Sequence, residues 1–255
     1  MFIDVNGIKI NTVSFGSGDE TFLGISGFVA DWRVWSFVFE DLSKRMRCVA
    51  YDHRGSGEST APLESISKQS YVDDLFGVMD KLSIKKCYLG GESFGGAIAL
   101  LAALKQPECF KGLILIDTNL PNAKPIDENR KKFINFLRLD HKGAIEAFIE
   151  SVMPESDIEH LKRMGVQICL RSDVETTVKI LEIVAEGEAE YPLHEIKIPT
   201  LIVYGDKDGE DIIKNSQFLE EVLPYSELEI IEGAGHVPII TRSQEVISAI
   251  RRNFF

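Results

Sequence analysis

The 255-residue chain is 44% hydrophobic and has a formal net charge of −12, which is enough apolar material for one large domain with an insertion. Its acidic balance argues against nucleic acid and anionic membrane surfaces as partners. The four cysteines form no C-x-x-C pair and, together with the five histidines, show no metal-ligand spacing, so we expect buried, reduced thiols and no metal site.

The N-terminal stretch lacks the basic start and apolar core of a signal peptide, and no stretch approaches the length of a membrane span. We therefore expect a cytoplasmic protein. Phe2 to Ile10 and Asn11 to Phe15 are predicted as two antiparallel strands, and Asn6-Gly7 is a turn signal within the alternating pattern. Thr21 to Ile25 is predicted as a buried strand that runs into Ser26-Gly27-Phe28-Val29-Ala30.

The next segment alternates helix and strand signals. Trp32 to Leu42 carries a helical pattern, and Arg47 to Asp52 is predicted as a strand that ends in the glycine-rich turn His53 to Ser59. Tyr71 to Leu82 is predicted as a helix because its apolar residues share one face. Gly112 to Asp117 is apolar up to its last residue, as is typical of a strand covered on both faces. The glycine-rich turn needs its glycines for a tight path, and we assign it no catalytic role.

Gly91-Glu92-Ser93-Phe94-Gly95 fits the pattern G-x-S-x-G, in which a serine occupies a sharp turn between a strand and a helix. Lys85 to Leu89 supplies the strand, and Ala97 to Leu104 is a strong helix former with an apolar face. The helix folds back close to the strand, so the positions two before and two after Ser93 must be nearly free of side chain. The strained turn pushes the hydroxyl outward, and the first amides of the helix point toward it.

Strand signals are missing from 119 to 195, where apolar residues recur at helical spacing in four stripes. The stripes are Phe133, Phe136 and Leu137, then Ile145, Phe148, Ile149 and Val152, then Leu161, Met164 and Ile168, and last Val174, Val178 and Leu181. We predict that residues 119–195 form a helical cap over a core made of residues 1–118 and 196–255. Four ordinary layer helices are the alternative, although no strands lie between them. The cap is expected to bound an apolar pocket.

Strand signals resume at Thr200 to Tyr204, which leads into Gly205-Asp206-Lys207-Asp208. Helices are predicted at Phe218 to Leu223 and at Ser243 to Phe254, with a strand at Leu228 to Ile231 between them. Apolar strands that alternate with helices imply an α/β fold with a mostly parallel sheet, here with antiparallel N-terminal strands. Sites in such sheets form at the carboxyl ends of the strands.

Three residues that follow predicted parallel strands have side chains suited to nucleophilic catalysis. Ser93 alone is a weak nucleophile that needs a base within hydrogen-bond reach, and the base needs an orienting acid. The chain order Ser93, Asp208, His236 matches that of hydrolases with a serine in this kind of turn. His236 lies beside a glycine in a loop near the C-terminus, and the other four histidines are assigned no catalytic role.

The chain resembles the α/β-hydrolase superfamily over nearly its whole length, in particular the single-domain esterase and lactonase-like group with a helical cap. The stretches that carry the resemblance are Ser26-Gly27-Phe28, Asp52 to Ser59, Gly91 to Gly96, Pro199 to Asp208 and Gly233 to His236. They are highly specific for the α/β-hydrolase fold and weakly specific for the substrate.

The resemblance implies Ser93 as the nucleophile, Asp208 as the acid and His236 as the base. It favours Asp208 over Asp206, because relatives place the acid three residues after the glycine that matches Gly205. Asp206 is then a turn residue.

The resemblance also implies that the backbone N–H groups of Phe28 and Phe94 form the oxyanion hole, and that both residues lie near the floor of the substrate pocket. One position departs from the family pattern, since relatives usually have His-Gly where this chain has Ser26-Gly27. Two interpretations of Ser26 stay open. It is either a small residue that fits the turn or a hydroxyl that donates to the developing charge.

We expect a carboxylesterase-like serine hydrolase that cleaves a small uncharged carboxylic ester or lactone through an acyl-enzyme on Ser93. The three catalytic residues need no metal or organic cofactor. The same residues also suit C–C bond hydrolysis or cofactor-free peroxidation, because a fold does not determine a reaction. A ligand receptor or signalling protein with slow hydrolysis is the third alternative. The expected partner is a small molecule, and the oligomeric state is left open.

Overall fold

The computed structural model of the chain describes residues 1–122, 126–186 and 190–255. Eight strands form one sheet in this part of the chain. They are Phe2–Val5 (β1), Ile8–Phe15 (β2), Thr21–Ile25 (β3), Arg47–Tyr51 (β4), Cys87–Glu92 (β5), Phe110–Ile116 (β6), Thr200–Gly205 (β7) and Ser226–Ile231 (β8). The spatial order is β1-β2-β4-β3-β5-β6-β7-β8.

The sheet is antiparallel at its N-terminal edge and parallel elsewhere. β1 pairs with β2, and β2 with β4, in antiparallel register, whereas β4, β3, β5, β6, β7 and β8 pair in parallel. The central strands β3 and β7 are buried along their whole length, as expected for parallel strands covered by helices on both faces. This topology confirms the predicted α/β-hydrolase fold with antiparallel N-terminal strands.

Helices connect the strands and cover the sheet. They are Ser36–Leu42 (α1), Lys68–Lys81 (α2), Phe94–Lys105 (α3), Glu128–Leu139 (α4), His141–Val152 (α5), Glu159–Cys169 (α6), Val174–Val184 (α7), Glu210–Val222 (α8), Pro238–Thr241 (α9) and Ser243–Phe254 (α10). None of the helices in the described ranges combines the length and the apolar character needed to cross a membrane.

The N-terminal hairpin differs from the prediction. The turn is Asn6-Gly7, with φ values of 45° and 81°, so the break expected after Ile10 is wrong and β2 continues to Phe15. Two successive positive φ values match a two-residue hairpin turn, for which Asn-Gly is the preferred sequence. The apolar alternation continues through both strands, and only the turn chemistry marks where the chain reverses.

Three helices begin at other residues than predicted. α2 begins at Lys68 instead of Tyr71. α1 begins at Ser36, after a short 3₁₀ turn at Trp32–Trp35 in which the side chain of Asp31 accepts the N–H of Arg33. α8 begins at Glu210 rather than Phe218. Its buried face holds the polar residues Asn215 and Ser216 between Ile212 and Leu219, so the apolar periodicity that a sequence pattern detects is interrupted there.

Four helices, α4 to α7, follow one another between β6 and β7. Asp127, Asp140 and Asp173 cap the N-termini of α4, α5 and α7 by accepting hydrogen bonds from backbone amides, which marks each helix start locally. Residues 123–125 and 187–189 of the predicted 119–195 cap lie outside the described residues. The division of the chain into core and cap stays a prediction.

Candidate active site

The turn between β5 and α3 holds Ser93 in a strained conformation. Ser93 has φ 53° and ψ −118°, a backbone region that costs free energy for a residue with a side chain. Its N–H donates to the carbonyl of Ile116 over 2.8 Å, and its carbonyl accepts from the N–H of Asn119 over 3.1 Å. Hydrogen bonds to the end of the neighbouring strand β6 therefore hold the strained residue on both sides.

Two glycines allow α3 to fold back on β5. A Cβ atom at Gly91 would lie 2.6 Å from the carbonyl oxygen of Gly95, and one at Gly95 would lie 2.5 Å from the carbonyl oxygen of Ile25. Both clashes are with backbone atoms, which cannot move aside cheaply. The G-x-S-x-G spacing thus has a steric cause in this fold.

The structure brings Ser93, Asp208 and His236 together. Oγ of Ser93 lies 2.9 Å from Nε2 of His236, and Nδ1 of His236 lies 2.7 Å from Oδ2 of Asp208. With Asp208 ionised, Nδ1 carries the proton and donates it to the carboxylate, which leaves Nε2 free to accept the hydroxyl proton of Ser93. Oδ1 of Asp208 accepts the N–H of Gly209 over 2.6 Å, which fixes the second carboxylate oxygen.

The surroundings of His236 raise the pKa of its imidazole. Burial alone lowers the pKa of His236, but the hydrogen bond and the charge of Asp208 raise it, and the net pKa lies above its ordinary value of 6.5. Glu92 contributes in the same direction as Asp208. The pKa of Glu92 is itself raised by burial, against the charge of His236 and a hydrogen bond from Gly27.

Asp206 and Asp208 have different surroundings, although both follow β7. Oδ1 of Asp206 accepts the N–H of Gly233 over 2.6 Å, and Oδ2 forms an ion pair with Lys207 over 3.2 Å. Asp206 therefore joins the ends of β7 and β8, whereas Asp208 contacts His236.

The loop that carries His236 is hydrogen bonded to the segment after α5. The N–H of His236 donates to the carbonyl of Val152 over 2.9 Å. The N–H of Gly235 donates to Oε1 of Glu155 over 3.0 Å, and the hydroxyl of Thr241 donates to the same oxygen over 2.7 Å. Glu155 is 8% exposed. Nothing in the sequence pattern indicates these contacts, because they join segments far apart in the chain.

The loop after β3 is braced by buried side chains. The hydroxyl of Ser26 donates to the carbonyl of Asp31 over 2.8 Å, and Nε2–H of His53 donates to the carbonyl of Ser26 over 3.0 Å. Burial lowers the pKa of His53 to about 4, so its ring is neutral at pH 7. Oε2 of Glu92 accepts the N–H of Gly27 over 2.8 Å. The turn that contains His53, which was assigned no catalytic role, thus supports the loop beside Ser93.

The rings of Phe28 and Phe94 lie in different parts of the structure. Among the described residues, neither backbone N–H has a hydrogen-bond acceptor, so both remain available to a ligand. The ring of Phe28 lines the cavity above Ser93. The ring of Phe94 is 1% exposed and packs edge-on against Tyr71, outside the cavity lining, because the first residue of α3 turns its side chain into the core. Phe94 was expected near the floor of the pocket, and its ring is not part of the lining of this cavity.

A small apolar cavity lies between Ser93 and the helices α5 and α6. Its volume is about 60 Å³. The polar residues in its lining are Glu92, Ser93 and His236. The remaining walls are apolar or small: Gly27, Phe28, Ala30, Val34, Phe148, Ile149, Val152, Met153, Gly165, Ile168, Cys169, Val237 and Ile240. Phe148 packs edge-to-face on Phe28 with 5.5 Å between ring centres, so α5 contacts the loop after β3 directly.

Asn119 and Asp117 are two residues near the site that the sequence pattern did not single out. Oγ of Ser93 lies 3.3 Å from Oδ1 of Asn119, which makes Asn119 a second polar group in reach of the hydroxyl. In the described part of the chain, one group of acidic and imidazole side chains has metal-like spacing, namely Asp117, Asp208 and His236. Both ring nitrogens of His236 already have partners in Asp208 and Ser93, so this group is not suited to bind a metal.

A sequence model of the alpha/beta hydrolase fold matches residues 20–145. A thermophilic esterase from Thermogutta terrifontis superposes with a TM-score of 0.90 at 27% identity, covering 99% of this chain and 97% of that one. The chain belongs to the α/β-hydrolase superfamily.

Similar proteins are described as different kinds of enzyme. A pimeloyl-[acyl-carrier protein] methyl ester esterase from Aliivibrio fischeri is 28% identical over 249 residues, covering 92% of this chain and 93% of that protein. A 2-hydroxymuconate semialdehyde hydrolase from Pseudomonas sp. (strain CF600) is 25% identical over 243 residues, covering 90% and 84%. The enol-lactonase of Burkholderia xenovorans LB400 has a TM-score of 0.89 at 20% identity, covering 99% and 98%, and shares the fold.

Proposed function

We propose that the protein is a serine hydrolase that cleaves a small uncharged carboxylic ester or lactone through an acyl-enzyme on Ser93. The observation that carries the proposal is the hydrogen-bonded chain from Ser93 Oγ through His236 to Asp208, at 2.9 and 2.7 Å. Both distances lie within the range in which a base takes the proton of a nucleophile and an acid orients the base.

In the proposed acylation step, Nε2 of His236 takes the proton of Ser93 as Oγ attacks the carbonyl carbon of the substrate. Asp208 stabilises the imidazolium that forms, without taking its proton. The negative charge develops on the carbonyl oxygen, and we assign its stabilisation to the N–H groups of Phe28 and Phe94. One such donor contributes about 3 kcal/mol to a transition state of this kind. His236 then protonates the alcohol oxygen, which leaves.

Deacylation repeats the sequence with water as the nucleophile. His236 takes a proton from the water, hydroxide adds to the acyl carbon, and collapse of the tetrahedral intermediate returns the proton to Oγ of Ser93 as the carboxylic acid leaves. For a lactone, the alcohol and the acid remain one molecule. The products of an ester are a free acid and an alcohol.

The cavity supports a small substrate group. A volume of about 60 Å³ exceeds the roughly 15 Å³ that a cavity needs to hold one water. Ligand pockets for larger molecules run to several hundred Å³. The apolar walls match an uncharged group, because an unpaired charge in such a place costs several kcal/mol. Acetyl-sized and propionyl-sized acyl groups therefore fit the proposal best.

A substrate screen tests the proposal. Purified protein is given p-nitrophenyl acetate, butyrate and octanoate, a series of small lactones, anilides, a C–C hydrolase substrate and acetate with peroxide. We expect many turnovers per site on acetate esters or small lactones, and none with Ser93→Ala. Turnover confined to the C–C substrate or to peracid formation would overturn it. One slow turnover with a retained product would indicate a receptor instead.

A further inference from the structure

Asp117 is a buried carboxyl group directly behind the proposed acid. It follows β6, is 0% exposed and has a left-handed backbone with φ 44°. Oδ1 accepts the N–H of Gly205 over 3.0 Å. Oδ2 is buried, and no donor among the described residues reaches it. A buried carboxylate oxygen without a hydrogen-bond donor destabilises the folded protein, so the group beside Oδ2 has to be identified.

A second carboxyl group lies close to Asp117. One carboxylate oxygen of Asp117, one of Asp208 and one ring nitrogen of His236 lie within 4.8 Å of one another. Two buried carboxylates this close repel each other when both are ionised, which favours a proton on one of them. Asp208 has two donors, from His236 and Gly209, whereas Asp117 has one from Gly205. The charge is therefore better placed on Asp208, and the proton on Asp117.

We propose that Asp117 is a positioning residue, which keeps its proton at neutral pH and donates a hydrogen bond from Oδ2 to the carboxylate of Asp208. The inference rests on the proposed roles of Asp208 and His236. The hydrogen bond would hold Asp208 toward His236. It would also draw charge away from the carboxylate, so that Asp208 stabilises the imidazolium less and His236 gives up its proton more readily.

The surroundings of Asp117 favour the protonated, neutral form of its carboxyl group. Burial raises the pKa of Asp117 well above its ordinary value, the charge and hydrogen bond of Asp208 raise it further, and Glu92 adds to the effect. The N–H of Gly205 opposes these causes. The groups facing Asp117 thus come from the ends of β5, β7 and β8: Glu92, Gly205, Asp208 and His236.

Two substitutions separate a protonated Asp117 from an ionised one. Asp117→Asn is nearly isosteric with the protonated acid, keeps an oxygen for Gly205 and a donor for Asp208, and tolerates the positive φ. Asp117→Leu removes the donor. The readout is the pKa of His236, measured by NMR titration of its imidazole in the free protein. Thr118→Val, a buried neighbour whose hydroxyl has no partner among the described residues, is the matched control.

We expect the His236 titration to be unchanged in Asp117→Asn and in the control, and to move up by roughly one pH unit in Asp117→Leu, because Asp208 then keeps its full charge. A lower His236 midpoint in Asp117→Asn would mean that a negative charge had been removed, and would overturn the proposal. An unchanged midpoint in a folded Asp117→Leu would also overturn it. The lower pKa in the pH dependence of kcat/KM should likewise be unchanged in Asp117→Asn and raised in Asp117→Leu.

A second measurement keeps the proposal testable if Asp117→Leu does not fold. A neutral Asp117 must take up a proton on folding above its unfolded pKa of about 3.9, which destabilises the native state increasingly as pH rises. The wild type should therefore lose stability relative to Asp117→Asn between pH 4 and pH 7, whereas an equal dependence on pH would overturn the proposal. Neither this measurement nor the NMR titration needs turnover. The role of Asp117 can therefore be tested even if the proposed esterase function fails.

Discussion

Glu155 accepts a hydrogen bond from the backbone N–H of Gly235, the residue directly before His236. The donor and acceptor are 80 residues apart in the chain, and the contact joins the segment after α5 to the loop that carries the proposed base. The adjacent hydrogen bond, from the N–H of His236 to the carbonyl of Val152, also joins the end of α5 to this loop. The position of His236 therefore depends on the helical segment that covers the cavity as well as on the sheet.

We predict that Glu155→Ala lowers kcat more than it raises KM. The substitution leaves the N–H of Gly235 without its acceptor and the hydroxyl of Thr241 with only the carbonyl of Val237 at 3.3 Å. Loss of the acceptor of a buried N–H costs about 1–3 kcal/mol in the free energy of unfolding and loosens the His236 loop. Glu155→Gln keeps the Oε1 acceptor and should restore most of the rate. Glu146→Ala, at a solvent-exposed ion pair on α5, is the control and should match the wild type. Equal kcat values in Glu155→Ala and wild type would contradict the prediction.

The two aspartates after β7 provide an internal comparison. Asp208→Asn should lower kcat by about 10⁴-fold, because an amide facing Nδ1 favours the wrong tautomer of His236. Asp206→Asn keeps an oxygen for Gly233 and should cost less than about tenfold in kcat, since Asp206 does not reach His236. Kinetics of both variants with a short-chain ester check this. A larger loss in Asp206→Asn would exchange the two assignments.

Ser26→Ala should lower kcat by less than about tenfold, because the hydroxyl of Ser26 already donates to the carbonyl of Asp31 over 2.8 Å. A true oxyanion donor would cost on the order of a hundredfold or more. The variant is measured with a short-chain ester after its folding has been checked by thermal unfolding. A hundredfold loss in a folded protein would make Ser26 a catalytic residue and the set of oxyanion donors incomplete.

The preference for one acyl chain length over another tests whether the cavity sets the size of the acyl group. Phe148→Ala opens the wall between α5 and Phe28, so the ratio of kcat/KM for hexanoate over acetate esters should rise by about tenfold or more. Phe133→Ala is the control, because Phe133 packs on Phe148 with 6.0 Å between ring centres but does not line the cavity. If both variants change the ratio equally, or neither does, the cavity does not set the acyl length.

The fold was predictable because its signals are local: apolar strands alternate with helices, and backbone clashes require the glycines around Ser93. The sequence pattern placed Asp208 and His236 after strands, and the resemblance to relatives favoured Asp208 over Asp206. The catalytic roles of Ser93, Asp208 and His236 stay a proposal. Glu155, Asp117 and Asn119 were not predictable, because their importance comes from contacts with distant segments. The direction of the Phe94 ring was not predictable for a related reason: its backbone position follows from the motif, but the ring packs against Tyr71.

The most direct test of the proposed role of Ser93 is mass spectrometry of the protein quenched during turnover. Wild type is mixed with a slowly hydrolysed ester, quenched and digested, in parallel with Ser93→Ala and with a fluorophosphonate-labelled sample. We expect one acyl group per chain, carried by Ser93 in the wild type, and neither acyl nor fluorophosphonate label in a folded Ser93→Ala protein. Label that persists in Ser93→Ala, or turnover by that variant at the wild-type rate, would contradict an acyl-enzyme on Ser93.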